Sequence, residues 1–71
     1  MAFLVVKRMI QSLDKAFRIL ELLSADPGRD WPLSEVARGV DLHAATCAHV
    51  LRTLVALGYA EQPVPRGGYR L

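Results

Sequence analysis

Two clusters of proline and glycine, Asp26-Pro27-Gly28 and the run from Pro63 to Gly68, cut the chain into pieces too short for any large fold. Proline fixes φ and removes a backbone donor, glycine frees φ, and together they read as turns. What lies between the breaks must be a few short elements sharing one core. At 71 residues there is room for one domain, not for a deep substrate pocket beside a catalytic constellation. A core of this size supplies only about 3–5 kcal/mol, and small domains commonly gain the rest from disulfides, a metal or a partner subunit.

Before the first break, Leu13, Ala16, Phe17, Leu20 and Leu23 recur at the three-and-four spacing of a helix face. The spacing predicts a helix over 12–24 with Ser12 as its N-cap and that stripe turned to the core. At 100° per residue Ile19 and Leu22 lie off the stripe, giving the helix a second apolar surface. That surface is either ordinary exposed side chain or a dimer contact, with Ile19 and Leu22 as the dimer-interface candidates. The 52% hydrophobic content, generous for so small a core, also points to a partner.

After the first break, Trp31-Pro32-Leu33 reads as extended, because the residue before proline is driven out of helical geometry. Ser34 can cap a short helix over 35–38 that carries Val36 and Ala37 inward and stops at Gly39. Val40-Asp41-Leu42 forms a tight connection. From His43 to Leu57 the helical pattern returns, with Thr46, Cys47, Val50, Leu51, Leu54 and Leu57 in one stripe and Gly58 as the stop. Two helices joined so closely are the spacing of a helix-turn-helix. Residues 59–62 and 68–71 then read as two strands around the second Pro/Gly turn. The expected fold is mainly α with a small β-hairpin: three helices plus a wing over 10–71, preceded by an N-terminal extension over 1–9.

The run IQSLDKAFRILELLS, then LSEVARGVDL, LRTLVALGYAEQ and GGYRL, resembles the DNA-binding domain of IclR-type transcriptional regulators over nearly the whole chain, from Ile10 to Leu71. The resemblance implies a dimeric regulator that binds double-stranded DNA. Its third helix would enter the major groove and its wing would lie on the adjacent backbone or minor groove. Such regulators carry a larger effector-binding domain downstream. The opening of the third helix departs from the family pattern, with Ala44, Ala45, Ala48 and His49 where lysine, serine, histidine and arginine are common.

Opposite the apolar stripe, that helix presents Ala44, Ala45, Ala48, His49 and Arg52. Alanine methyls at 45 and 48 can meet thymine methyls, and Arg52 can pair with guanine or a phosphate, so this face is expected to discriminate sequence only modestly. His49 is either a solvated histidine or a base or phosphate contact that strengthens as pH falls. Arg66, at the tip of VPRGG, is placed for a backbone or minor-groove contact. Arg70 and Thr46 are further phosphate candidates.

Charge is uneven. Residues 1–25 and the last thirty each carry a net +2, while residues 26–41, with Asp26, Asp30, Glu35 and Asp41 against Arg29 and Arg38, carry −2. An anionic partner is expected at the C-terminal portion, where Arg52, Arg66 and Arg70 face only Glu61. Cys47 is the single cysteine, so no internal disulfide forms and a reducing compartment, the cytoplasm, is expected. Cys47 and His49 point to opposite sides of the helix, so with His43 they predict no metal site, and no cofactor is expected. No phosphate loop, nucleophile elbow or acid–base pair is present, and the chain is read as a non-enzyme. The competing reading is a winged helix used for dimerisation or protein contact without DNA, which the alanine-rich face and surplus apolar surface favour.

Overall fold

The computed structural model of the chain describes residues 10–71. The expected N-terminal extension over 1–9 lies outside the described residues. Three helices follow in order, α1 (Gln11–Ser24), α2 (Leu33–Gly39) and α3 (Ala44–Ala56), each packed on the other two.

The core is a single cluster in which Ile19 and Leu23 of α1, Val36 of α2, and Cys47 and Leu51 of α3 are fully buried. Ala37, Val40, Leu54, Ala60 and Tyr69 complete it, and among the described residues no polar or charged residue is buried with them. This composition sets the phase of α1, and it corrects the expected one. Ile19, expected on a dimer surface, is 0% exposed, while Leu13 and Phe17, expected in the core stripe, are 53% and 56% exposed. Leu22, the other dimer candidate, is half-buried against the core. Leu23 of the expected stripe is buried as expected and Ala16 and Leu20 pack against the core, but Ile19 joins them there while Leu13 and Phe17 face solvent.

Leu22 meets α2 closely. A Cβ built on Gly39 would stand 2.7 Å from Leu22 Cδ2, closer than any real side chain is found. Gly39 thus leaves room for the end of the Leu22 side chain between α1 and α2, and it does not end α2 in left-handed geometry. The left-handed residue of the α2–α3 connection is Asp41 (φ 56), a residue type that tolerates that region. Backbone bonds from Leu42 N–H to Ala37 C=O (2.9 Å) and Val40 N–H to Val36 C=O (3.1 Å) close the turn.

The expected serine caps are not used. Ile10 and Pro32 occupy the N-cap positions of α1 and α2, with no side-chain cap bond at either, so Ser12 and Ser34 lie inside their first turns. Asp14 and Glu35 sit in those turns instead, where a negative charge favours the helix dipole. At the other end, α3 stops at Ala56, Gly58 (φ 86) reverses the chain as expected, and Leu57 turns out to solvent, 66% exposed, instead of joining the inward stripe.

The expected C-terminal hairpin pairs its two segments at one point only, Glu61 with Arg70. Among the described residues no strand forms; the segment is held by isolated antiparallel bridges, Trp31 with Tyr69 and Glu61 with Arg70. Each exchanges two bonds, Trp31 N–H to Tyr69 C=O at 2.7 Å and back at 2.8 Å, and Glu61 N–H to Arg70 C=O at 2.7 Å and back at 3.0 Å. Pro32 follows Trp31 and α2 begins at once, while Pro63 and Pro65 follow Glu61; without N–H donors these ladders cannot propagate. Residues 69–70 thus lie between Trp31 and Glu61 and tie the last loop to the helices.

The observed phase of α1 has an expected energetic signature. Ile19→Ala should cost about 2–5 kcal/mol, enough to unfold much of so small a domain, whereas Phe17→Ala should cost less than about 1 kcal/mol. Urea unfolding of the two variants at low micromolar concentration measures both; equal costs would contradict the phase described.

Candidate nucleic-acid interface

On α3 the buried residues Cys47, Leu51 and Leu54 fix which face is free. Ala44, Ala45, His49 and Arg52 are exposed on the opposite side; Ala48 and Thr46 are half-buried along its two edges. The face is as expected from its sequence: methyl groups, one histidine and one arginine. Like those of α1 and α2, its N-cap, His43, makes no side-chain cap bond, and α3 alone of the three has no acidic residue in its first turn. The first amides of α3 are thereby left for an anion or water, and no carboxylate repels one.

Arginines divide by what holds them. Arg18 lies 3.9 Å from Asp14 on α1. Arg29 pairs with Glu35 at 2.5 Å and stacks over the Trp31 ring, 4.0 Å from its centroid. Arg70, expected at a phosphate, has its guanidinium 3.6 Å from Glu61 and 3.9 Å from Asp30. Exposed pairs of this kind contribute at most about 1 kcal/mol, but they cancel local charge, and Arg70 sits where it fastens the bridge it belongs to. Among the described residues Arg38, Arg52 and Arg66 make no ion pair. Arg38, in the last turn of α2, was not singled out by sequence reasoning, because nothing in a sequence separates a paired surface arginine from an unpaired one.

Arg66 is held unusually. The chain uses the same turn twice: Asp26-Pro27-Gly28-Arg29 is closed by Arg29 N–H to Asp26 C=O at 3.2 Å, and Val64-Pro65-Arg66-Gly67 by Gly67 N–H to Val64 C=O at 2.8 Å. Both place a positive φ after the proline, at Gly28 (φ 85) and at Arg66 (φ 63). This is the position that such turns normally give to glycine. A Cβ there costs about 1–2 kcal/mol, so an arginine is exposed at the tip of the loop at the expense of stability. Gln62 Nε2 donates to Gly67 C=O at 3.0 Å and braces the loop from inside.

Cys47 is wholly buried, and burial pushes its thiol pKa up, which leaves it unreactive. Among the described residues no group of three or more His, Cys, Asp or Glu converges as a metal site, and no helix is long and apolar enough to cross a membrane.

The family model of the IclR helix-turn-helix domain matches residues 12–63, most of the chain and all of α2, α3 and their connection. The chain belongs to the IclR helix-turn-helix family. Comparisons with curated proteins and with solved structures give no significant match. Within this family domain, the matched region takes in the α3 face, while Arg66 and Arg70 lie beyond it.

The strain at Arg66 can be tested directly. Arg66→Gly should raise stability by about 1 kcal/mol, lifting Tm by roughly 4–8 °C, while Arg66→Ala should leave it nearly unchanged because alanine keeps the Cβ. Thermal melts of the two variants check this; equal shifts would remove the strain argument.

Proposed function

We propose that this domain holds a transcription regulator on double-stranded DNA, with α3 in the major groove and the 62–68 loop acting as the wing on the adjacent backbone or minor groove. Membership of the IclR helix-turn-helix family supports DNA binding as the general activity. The observation that carries the detailed reading is the α3 face itself: exposed, free of carboxylates in its first turn, uncapped by a side chain, and bearing the unpaired Arg52. Arg52 and Arg66 supply phosphate or base contacts. His49 and Thr46 contribute hydrogen bonds, and Ala45 and Ala48 give close apolar approach to thymine methyls. Arg70 is proposed as a positioning residue, since two carboxylates engage its guanidinium. The regulator acts by occupying a site as a homodimer, and with so few base-reading groups most of its affinity comes from the backbone.

The second reading, a protein-interaction module that does not bind DNA, is favoured by one observation: Leu13 and Phe17 expose an apolar surface on α1. Salt separates the two. With about three phosphate contacts per chain, about six for the homodimer, affinity for duplex DNA should fall about 2,000-fold between 50 and 200 mM salt, from a slope of roughly −0.9 per contact. Arg52→Ala and Arg66→Ala, each removing one contact from both chains of the homodimer, should each reduce that slope by about 2, and Arg70→Ala should change it little. Fluorescence anisotropy with labelled duplexes gives these slopes; no binding to any duplex at low salt would leave only the second reading.

A further inference from the structure

The exposed side chains of α3 leave the helix at different angles, and the angles separate their uses. At 100° per residue Ala45 and Arg52 lie within about 20° of each other at the centre of the free face, and His49 stands about 40–60° round from them. That rotation is towards α1, because His49 lines an open groove of about 670 Å³ between α1 and the end of α3, shared with Ser12, Leu13, Phe17, Thr53 and Tyr59. His49 is exposed, and among the described residues its ring makes no hydrogen bond or ion pair. A helix about 10–12 Å across fills a major groove about 12 Å wide, so residues at the centre of its outer face meet base edges and those on its flanks meet the phosphate walls. His49 is on a flank.

Among the described residues nothing beside His49 fixes its charge. From α1 the groove presents Ser12 and apolar side chains, and the titratable group across it is the phenol of Tyr59. On α3 itself Arg52 is one turn on, His43 is at the N-cap, and the Thr53 hydroxyl donates to the His49 carbonyl, leaving the ring untouched. No Asp or Glu lines the groove among the described residues, and α3 holds none. A charged imidazole here has no anion within the protein, and a DNA phosphate is the first it would meet. Imidazole is the side-chain group that changes charge between pH 5 and 8, and an anion beside it favours the charged form.

We propose that His49 is a pH-dependent phosphate clamp: protonated, it holds the phosphate wall on the α1 side of the major groove, and neutral, it lets go. This rests on the DNA reading above and names how that site is regulated. Arg52 and Arg66 stay charged throughout the physiological range, so His49 is the member of the set whose contact pH can switch. The complex holds His49 charged, so binding takes up a proton at each chain and affinity rises as pH falls through the range in which histidines charge. The same charge counts as one more neutralised phosphate. The salt slope should therefore be steeper at pH 6 than at pH 8 by about 0.9 per chain, about 2 for the homodimer, which a histidine with a merely structural role would not produce.

Fluorescence anisotropy of the full chain with a labelled duplex, run at pH 6 and pH 8 over a series of salt concentrations, tests the proposal. Wild-type affinity at fixed salt should rise at least about tenfold from pH 8 to pH 6, with the steeper salt slope at pH 6. His49→Gln should give the shallow slope at both pH values. His49→Arg should give the steep slope at both, restoring at pH 8 the contact that neutral histidine gives up. His43→Gln should keep the wild-type response, and the helical circular dichroism of all four proteins should match at the two pH values. Wild-type binding that is equal at pH 6 and pH 8, a response that survives His49→Gln, or one abolished by His43→Gln would overturn the proposal and leave the DNA reading standing. A gain in affinity at pH 6 with no change of slope would also overturn it, by assigning the proton to a base contact. No binding to any duplex at pH 6 and low salt would overturn the DNA reading and this proposal with it.

Discussion

Everything in this domain depends on one small apolar junction, where Ile19 and Leu23 of α1, Val36 of α2, and Cys47 and Leu51 of α3 are removed from water together. Among the described residues these are the largest fully buried side chains, and a domain of this size keeps only a few kcal/mol of net stability. The junction fixes the rotation of every helix about its own axis. For α3 that rotation turns Ala45, His49 and Arg52 outward. For α1 it leaves Leu13 and Phe17 in solvent. Both exposed surfaces are therefore consequences of one packing decision, and His49 lies where they meet.

Around that junction the charges are sorted by use. Carboxylates collect where they hold the scaffold: Glu35 on Arg29, Asp14 on Arg18, Asp30 and Glu61 on Arg70. What remains unpaired includes Arg52 on α3 and Arg66 on the last loop, and Arg66 occupies a backbone conformation that costs stability. A side chain kept where glycine would be cheaper is an argument for function that burial and pairing alone do not supply.

The sequence made the outline legible because turn chemistry and period are local. The two Pro/Gly breaks, the three helices, the end of α3 at Gly58 and the outward face of α3 are read from neighbouring residues alone. The phase of α1 is not local. Leu13 and Phe17 share a helical period with Leu20 and Leu23 as well as Ile19 does, and the choice is made by packing against α2 and α3, which are distant in sequence. The hairpin was expected from residue types suited to strands, yet Pro32, Pro63 and Pro65 confine it to single bridges. Arg70 looked free because Asp30 and Glu61 are distant in sequence and meet it only once those bridges form. Ser12 and Ser34 looked like caps because each precedes an apolar period, while the helices begin a turn or less earlier.

The central claim is that α3 and the last loop, presented by this core, form the surface that meets DNA. Amide chemical-shift mapping of the isotopically labelled chain, titrated with duplex DNA, tests it residue by residue. The account predicts the largest changes at residues 43–49, at Arg52 and at residues 64–67, with Ile19 and Leu23 unmoved. Changes confined to α1 around Leu13 and Phe17, with α3 unaffected, would contradict it.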